Sequence, residues 1–342
     1  MGICVDETLG RQVGARREQT VRIPERAVDR RERVVGTKER DHVSLIIDPL
    51  LRPDLARLAS AVGTSPLTRF APSPTGYLHL GHVVNAIYVW GLARALGGRV
   101  LLRIEDHDRI RCRPDYERAL FEDLAWLGFE PDTGLDPPLR QSETPQVYED
   151  ALDRLRESTL VYACDCSRKD IGGERYDGRC RRRRLEPGSG RGIRVQFENG
   201  DEAFDDALLG RQMQTPAEQC GDLLARDRDG HYTYQFAVTV DDFRQDVTLV
   251  IRGADLVSST GRQIMLARML GRRNAPVFMH HPLIHDGLGE KLSKSAGDAG
   301  VRELRSAGLT PPEVIGIAAA RVGLLNPGES IRAVDVARLF QT

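Results

Sequence analysis

The forty residues from Leu67 to Asp106 constrain the fold more than any other part of the chain. TRFAP reads as a strand, PSPTGYLHLG as a Pro/Gly loop, and HVVNAIYVWGLARAL as an amphipathic helix that stops at Gly97-Gly98. RVLLRIED reads as a second strand. Strand, loop, helix and strand in that order form the repeating unit of a parallel α/β sheet. Helices are expected over 114–127 and 145–157. Cys164 to Gly192 is irregular, with Gly172-Gly173, four consecutive arginines and PGSGRG, and reads as an insertion into the sheet over about 160–192. GIRVQF and DLLARD then alternate like strands, with a turn at Arg228-Asp229-Gly230. YQFAVTVDD, VTLVIRGAD and STGRQIMLARML return to the α/β rhythm, and a short helical segment is expected over 301–342.

Residues 1–66 have a different texture. REQTVRIPERAVDRRERVVGTKERDH is charged at nearly every second position and can bury little apolar surface to offset the entropy of ordering. SLIIDPLLRPDLARLASAV could form a short strand or helix but is interrupted by Pro49 and Pro53. The expectation is a disordered extension over 1–66, outside a catalytic core that runs from 67 to 300. Its translation is itself open to question. No methionine falls between Met1 and Met213, and the excess of arginine over lysine points to a GC-rich gene in which a GTG start would be read as an internal valine such as Val62. The competing reading is a mixed-charge arm that helps to hold RNA.

Composition excludes several classes. Hydrophobic residues at 40 % and charged residues at 29 % describe an ordinary globular chain. No run approaches the roughly 20 apolar residues of a membrane span, and the first residues lack the apolar stretch of a secretion signal. A cytoplasmic protein with no membrane partner is expected. With 49 basic and 50 acidic residues, any nucleic acid must be held by a local basic patch and not by the global field.

Two motifs carry phosphate chemistry. His79-Leu80-Gly81-His82 opens the first helix, where unpaired N–H groups and the helix dipole favour anions. Gly81 permits close backbone approach, and histidines three apart can face the same ligand. An isolated HxGH is most often a turn with two surface histidines; its place between strand and helix favours the phosphate reading. The second motif is Lys291-Leu292-Ser293-Lys294-Ser295. The chain has four lysines against a large excess of arginine, and two of the four lie here. Paired ammonium groups on a Gly-flanked loop can close over a triphosphate and stabilise charge on departing pyrophosphate.

HLGH on the first crossover and KLSKS late in the chain resemble the two signatures of class I aminoacyl-tRNA synthetases. RFAPSPTGYLHLGH and RIED are similar to the glutamyl-tRNA synthetase branch of that family. The resemblance covers roughly Leu67 to Ser295, with Leu in place of the commoner Met in the second motif. It implies a Rossmann-like parallel-sheet catalytic domain with His79, His82, Lys291 and Lys294 as catalytic residues. ATP would be bound by His79, Gly81, His82 and Lys294, with Mg²⁺ as its partner. It also implies a glutamate pocket made by Arg69, Phe70, Ala71, Pro72, Ser73, Glu105, Tyr234 and Arg252. Those residue types suit the substrate. Arginine forks match carboxylates, Glu105 can pair with an ammonium, and Tyr234 can close the pocket with its hydroxyl. Taken singly, Glu105 could instead pair with Arg103 or Arg109, and Tyr234 could be core.

Cysteines stand at 4, 112, 164, 166, 180 and 220. Three thiols between Cys164 and Cys180 suit a tetrahedral metal better than a disulfide in a reducing compartment. No histidine lies between His107 and His231, so the fourth position is open to Asp165, Asp170, Glu174, Tyr176, Asp177 or water. The stretch CDCSRKDIGGERYDGRC resembles the zinc insertion of the glutamyl-queuosine tRNA(Asp) synthetase family, whose pattern maps onto Cys164, Cys166, Tyr176 and Cys180. By that resemblance one structural Zn²⁺ folds the insertion. Arg179, Arg181, Arg182, Arg183 and Arg184 flank the last cysteine. They read either as a solvated face or as a phosphate-contacting patch for RNA.

Only 47 residues follow Ser295, which leaves no room for the anticodon-binding domain of a long synthetase. The resemblance therefore implies a monomeric ligase that forms glutamyl-adenylate from L-glutamate and ATP. It would pass the glutamyl group to queuosine in the anticodon of tRNA(Asp). Three alternatives stay open: an ordinary glutamyl-tRNA synthetase core, an ATP-dependent ligase acting on a small amine, and a non-catalytic RNA-binding paralogue.

Overall fold

The computed structural model describes residues 52–173, 175–284 and 300–341. The first helix, α1 (Leu55–Val62), lies inside the stretch expected to be a disordered extension. Asp54 caps it by accepting the N–H groups of Ala56 and Arg57, each at 3.0 Å. Leu55, Leu58 and Val62 recur at helical spacing, so they share one face. Leu58 is buried in the main core and the other two pack against it. α1 therefore packs on the core although it precedes residue 67, where the catalytic domain is expected to begin. Pro53 precedes the cap and does not interrupt the helix. The charged segment before residue 52 lies outside the described residues.

β1 (Leu67–Phe70), α2 (Leu80–Ala95) and β2 (Arg99–Leu102) form the expected unit, with β1 parallel to β2 and Leu67 opposite Arg99. α2 is not amphipathic in the usual one-faced sense. Ile87, Tyr88, Val89, Leu92 and Ala93 are all fully buried, and a helix apolar on every side must be enclosed. The enclosing layer is the tail: α9 (Val301–Ser306), α10 (Pro311–Arg321) and a 3-10 turn at Ala333–Phe340, of which the last two pack on α2. The helical segment expected after residue 301 thus completes the core.

α3 (Pro114–Leu127) and α4 (Pro145–Ser158) each begin with proline at the first turn, where its missing N–H costs nothing. β3 (Val161–Cys164) leads into the insertion, which carries the short α5 (Arg168–Ile171) and returns as β4 (Gly192–Val195). β5 (Glu202–Asp206), β6 (Gly210–Gln214), α6 (Pro216–Gln219) and β7 (Leu223–Arg226) follow. β3, β4 and β7 make an antiparallel sheet over a second core that includes Leu152, Val195, Ala225 and Phe236.

α7 (Tyr234–Arg244), β8 (Leu249–Gly253), α8 (Thr260–Met269) and β9 (Val277–His281) restore the parallel arrangement. The strand order is β6-β5-β9-β8, with β5–β9 and β9–β8 parallel and β6 an antiparallel edge. The Thr248 N–H donates to the Leu67 carbonyl at 2.9 Å, where β8 runs beside β1. The C-terminal ends of β1, β2, β8 and β9 therefore open toward the start of α2. In parallel α/β sheets that is where ligands bind.

Candidate active site

The start of α2 is built by its own histidines. His79 Nδ1 accepts the Gly81 N–H at 3.1 Å, and His82 Nδ1 accepts the His79 N–H at 3.2 Å. With both Nδ1 atoms acting as acceptors, the proton of each neutral ring sits on Nε2. The two rings lie 4.0 Å apart. A Cβ at Gly81 would approach His79 Cε1 to 2.9 Å, so glycine is needed there for the cap as well as for a ligand.

Around this helix start lies a cleft of about 760 Å³. Arg69, Phe70, Ala71, Pro72 and Ser73 line it from the end of β1 and the following loop; Glu105, Tyr234 and Arg252 line it from the segment after β2, from α7 and from β8. His79, Gly81, His82, Asn85 and His281 complete one side. The floor is a chain of buried charges. Arg69 Nε donates to both oxygens of Asp242, at 3.1 and 3.2 Å, and its Nη1 donates to the Ile251 carbonyl at 3.3 Å. Arg103, with no exposed surface, donates to Asp242 at 2.8 Å, Gln245 at 2.8 Å and Glu105 at 2.7 Å. Burial alone would raise the pKa of Asp242, but Arg69 and Arg103 outweigh it and hold that carboxyl below its usual range.

Arg252 is placed differently. It is 4 % exposed, and its guanidinium donates to His280 Nε2 at 3.1 Å, Gln263 at 2.7 Å, Thr260 Oγ1 at 2.8 Å and the Leu256 carbonyl at 3.4 Å. None of these partners is an acid, and among the described residues no carboxylate pairs with it. Burial accordingly lowers its pKa, and the neighbouring Arg69 lowers it further. The hydroxyl of Tyr234 lies beside it and is held protonated by burial. His281 stacks on Tyr88 at 5.0 Å and is pushed down to about 4 by burial, so it is neutral at physiological pH.

A second constellation lies in the insertion. The Sγ atoms of Cys164, Cys166 and Cys180 all fall within 4.8 Å of one another, with Cys166 and Cys180 3.6 Å apart. Thiolates on tetrahedral zinc stand roughly 3.8 Å apart, so this spacing fits a metal. The Tyr176 hydroxyl joins them, accepting from Cys164 Sγ at 3.5 Å and from the Cys180 N–H at 2.9 Å. The acids left open by spacing are engaged elsewhere. Asp170 turns to Ser167 and Asp177 to Arg179, while both oxygens of Asp165 are held by Arg183, although Oδ1 also meets Cys180 Sγ at 3.6 Å. Glu174 lies outside the described residues. Burial and the bond with Cys180 push the Cys166 thiol up to about 12; a cation among the sulfurs reverses that balance.

Residues 67–330 match the family described as tRNA synthetases class I (E and Q), catalytic domain. The chain belongs to that family. Among relatives, glutamyl-Q tRNA(Asp) synthetase of Nitratidesulfovibrio vulgaris is 40 % identical over 281 residues, covering 75 % of this chain and 86 % of the relative. The protein of the same name from Symbiobacterium thermophilum is 40 % identical, covering 80 % and 91 %. A glutamate–tRNA ligase of N. vulgaris is 39 % identical, covering 79 % of this chain and 59 % of the relative. The crystal structure of a glutamate tRNA ligase from Elizabethkingia meningosepticum, in complex with its amino acid, superposes with a TM-score of 0.67 at 26 % identity. That match covers 81 % of this chain, which spans 65 % of the solved ligase.

Within this class I synthetase, Lys291 and Lys294 lie outside the described residues. The described residues on either side of their segment are both at the cleft: Ile284 lines it, and Gly300 pairs with His79. The arginine run divides. Arg179, Arg181 and Arg183 pair with Asp177, Asp222 and Asp165, whereas Arg182 and Arg184 are exposed and no carboxylate among the described residues meets them.

Sequence reasoning missed several of the synthetase's residues. Arg103 and Asp242 lie 139 positions apart, and only the fold joins them. Arg194 donates to Cys164 Sγ at 3.3 Å and covers the Tyr176 ring at 3.7 Å. Gly221, at φ +67°, lets the Tyr176 backbone pass so closely that a Cβ would stand 1.8 Å from its carbonyl oxygen. In the sequence this close approach shows only as a glycine directly after Cys220.

Proposed function

We propose that this synthetase activates L-glutamate with ATP and transfers the glutamyl group to queuosine in the anticodon of tRNA(Asp). The observation that carries the reading is the single cleft in which Arg69 to Ser73, Glu105, Tyr234 and Arg252 meet the histidine-capped start of α2. The relatives named for that reaction support it, being 40 % identical over 86–91 % of their own lengths.

In this reading Glu105 faces the substrate ammonium, and Arg252 takes a substrate carboxylate because no acid among the described residues pairs with its buried charge. A carboxylate oxygen of glutamate bonds to the α-phosphorus of ATP as the bond to pyrophosphate breaks. The Nε2–H edges of His79 and His82, together with Lys294, stabilise charge on the phosphates; Mg²⁺ accompanies ATP, and Lys291 assists from the same loop. A hydroxyl of the queuosine cyclopentene ring then attacks the adenylate carbonyl and AMP leaves. Cys164, Cys166, Tyr176 and Cys180 would hold Zn²⁺, which pins the insertion and performs no chemistry. Arg182 and Arg184 are the members of the basic run left for RNA phosphates. The enzyme acts as a cytoplasmic monomer.

A second reading, an ordinary glutamate–tRNA ligase core, has a relative at 39 % identity in its favour and shares the first step. Glutamate-dependent exchange of pyrophosphate into ATP tests that step. Exchange without any tRNA is expected; an absolute requirement for RNA, or exchange indifferent to glutamate, would overturn the proposal.

A further inference from the structure

The three adjacent strands β5, β9 and β8 carry Asp206, His280 and Arg252 in a line. Arg252 and His280 are direct neighbours in the parallel pairing of β8 and β9, and Asp206 ends the strand on the other side. The His280 ring has no exposed surface. Its Nδ1 meets Asp206 Oδ2 at 2.6 Å, and its Nε2 faces Arg252 Nε and Thr260 Oγ1, both at 3.1 Å. A guanidinium can only donate, so Nε2 must be the acceptor, and the proton therefore sits on Nδ1 and is given to Asp206.

We propose that His280, fixed in this tautomer by Asp206, is the positioning residue that keeps Arg252 charged, oriented and uncompensated for a substrate carboxylate. The inference rests on the glutamate-activating reading above. A carboxylate in place of the imidazole would fix Arg252 equally well, but it would neutralise the charge before substrate arrived. A neutral acceptor orients the guanidinium without that loss, and the Asp206 charge is held one ring away. Orientation of a binding group by a carboxylate–histidine pair uses the same physics as the outer shell of a metal site.

Asp206 offers an unusually clean test, because its two oxygens do different work. Oδ1 accepts the N–H groups of Leu208, Leu209 and His280 at 3.0, 2.9 and 3.4 Å; among the described residues Oδ2 meets His280 Nδ1 alone. Asp206→Asn can keep the carbonyl toward the turn and present its amide to Nδ1. The ring proton then moves to Nε2 and points at Arg252. His280→Gln removes the tautomer while leaving an amide oxygen that can accept from Arg252.

The experiment is a double-mutant cycle read by glutamate-dependent ATP–pyrophosphate exchange, with the tautomer followed by ¹⁵N shifts of labelled histidine rings. Asp206→Asn is expected to raise the KM for glutamate about ten- to a hundredfold, the effect of losing a charge-assisted contact, with a smaller change in kcat and a nearly unchanged Tm. In the His280→Gln background the same substitution should change KM little. A purely structural role for Asp206 would give equal losses in both backgrounds, and that result, or an unchanged KM in Asp206→Asn, overturns the proposal. Wild-type protein with no glutamate-dependent exchange would instead defeat the glutamate reading, while the ring shifts would still report the Nδ1–H tautomer.

Discussion

The Tyr176 hydroxyl accepts the backbone N–H of Cys180 at 2.9 Å, which ties the tyrosine to the last cysteine of the insertion with or without a metal. Tyr176→Phe therefore has two separable effects. It leaves a buried N–H without an acceptor, at a cost of about 1–3 kcal/mol that metal-stripped protein should also show. If the phenol oxygen is also a zinc ligand, the variant should lose zinc to a chelator faster than wild type, which should hold about one equivalent per chain. Cys166→Ser should lose the metal outright. Chelator competition with colorimetric zinc readout checks both, and wild-type retention by Tyr176→Phe would remove the tyrosine from the ligand set.

Asp123 on α3 has no exposed surface, and among the described residues neither of its oxygens has a hydrogen-bond partner; Arg302 Nε approaches only to 3.9 Å. Burial pushes its pKa up to about 6. Between the ordinary carboxylate range and pH 6 the folded state binds more protons than the unfolded one, so this group lowers stability as pH rises through that window. Above it the full penalty of a buried charge remains. Asp123→Asn should thus raise Tm at pH 7.5, with the gain shrinking toward zero near pH 4. A gain that grows on acidification would contradict the assignment.

Helix α1 should be part of the folded unit. Removing everything before Val62 deletes Leu58 from the core and the bond from Arg52 Nη2 to the Leu324 carbonyl, 3.2 Å long. Burial of one leucine is worth about 1.5–3 kcal/mol, and urea unfolding should show a loss of that order. A chain starting at Leu51 should keep the full-length midpoint. Equal midpoints for both truncations would return α1 to the status of a dispensable extension.

The parts of this molecule that sequence revealed are those written in neighbouring residues. Strand, HLGH and helix lie within thirty positions, and their local chemistry is enough to place a phosphate site after β1. The three thiols lie within seventeen positions and needed only a fourth partner. The glutamate pocket came from resemblance, since Arg69, Tyr234 and Arg252 are too far apart for spacing to relate them. The supports of that pocket were invisible for the same reason. Asp242 matters through Arg69 and Arg103, and His280 through the strands on either side of it. Helix α1 was within reach, because Leu55, Leu58 and Val62 carry the helical period, but the two prolines before it drew attention to a break that lies outside the helix.

The most direct test of the whole account is the destination of the glutamyl group. Labelled L-glutamate, ATP and enzyme are incubated with queuosine-containing and queuosine-free tRNA(Asp), and the charged RNA is digested with ribonuclease. Label should enter the queuosine-containing tRNA alone and travel with the wobble nucleotide of the anticodon. Equal labelling of both tRNAs, or label on the 3′-terminal adenosine, would contradict the account.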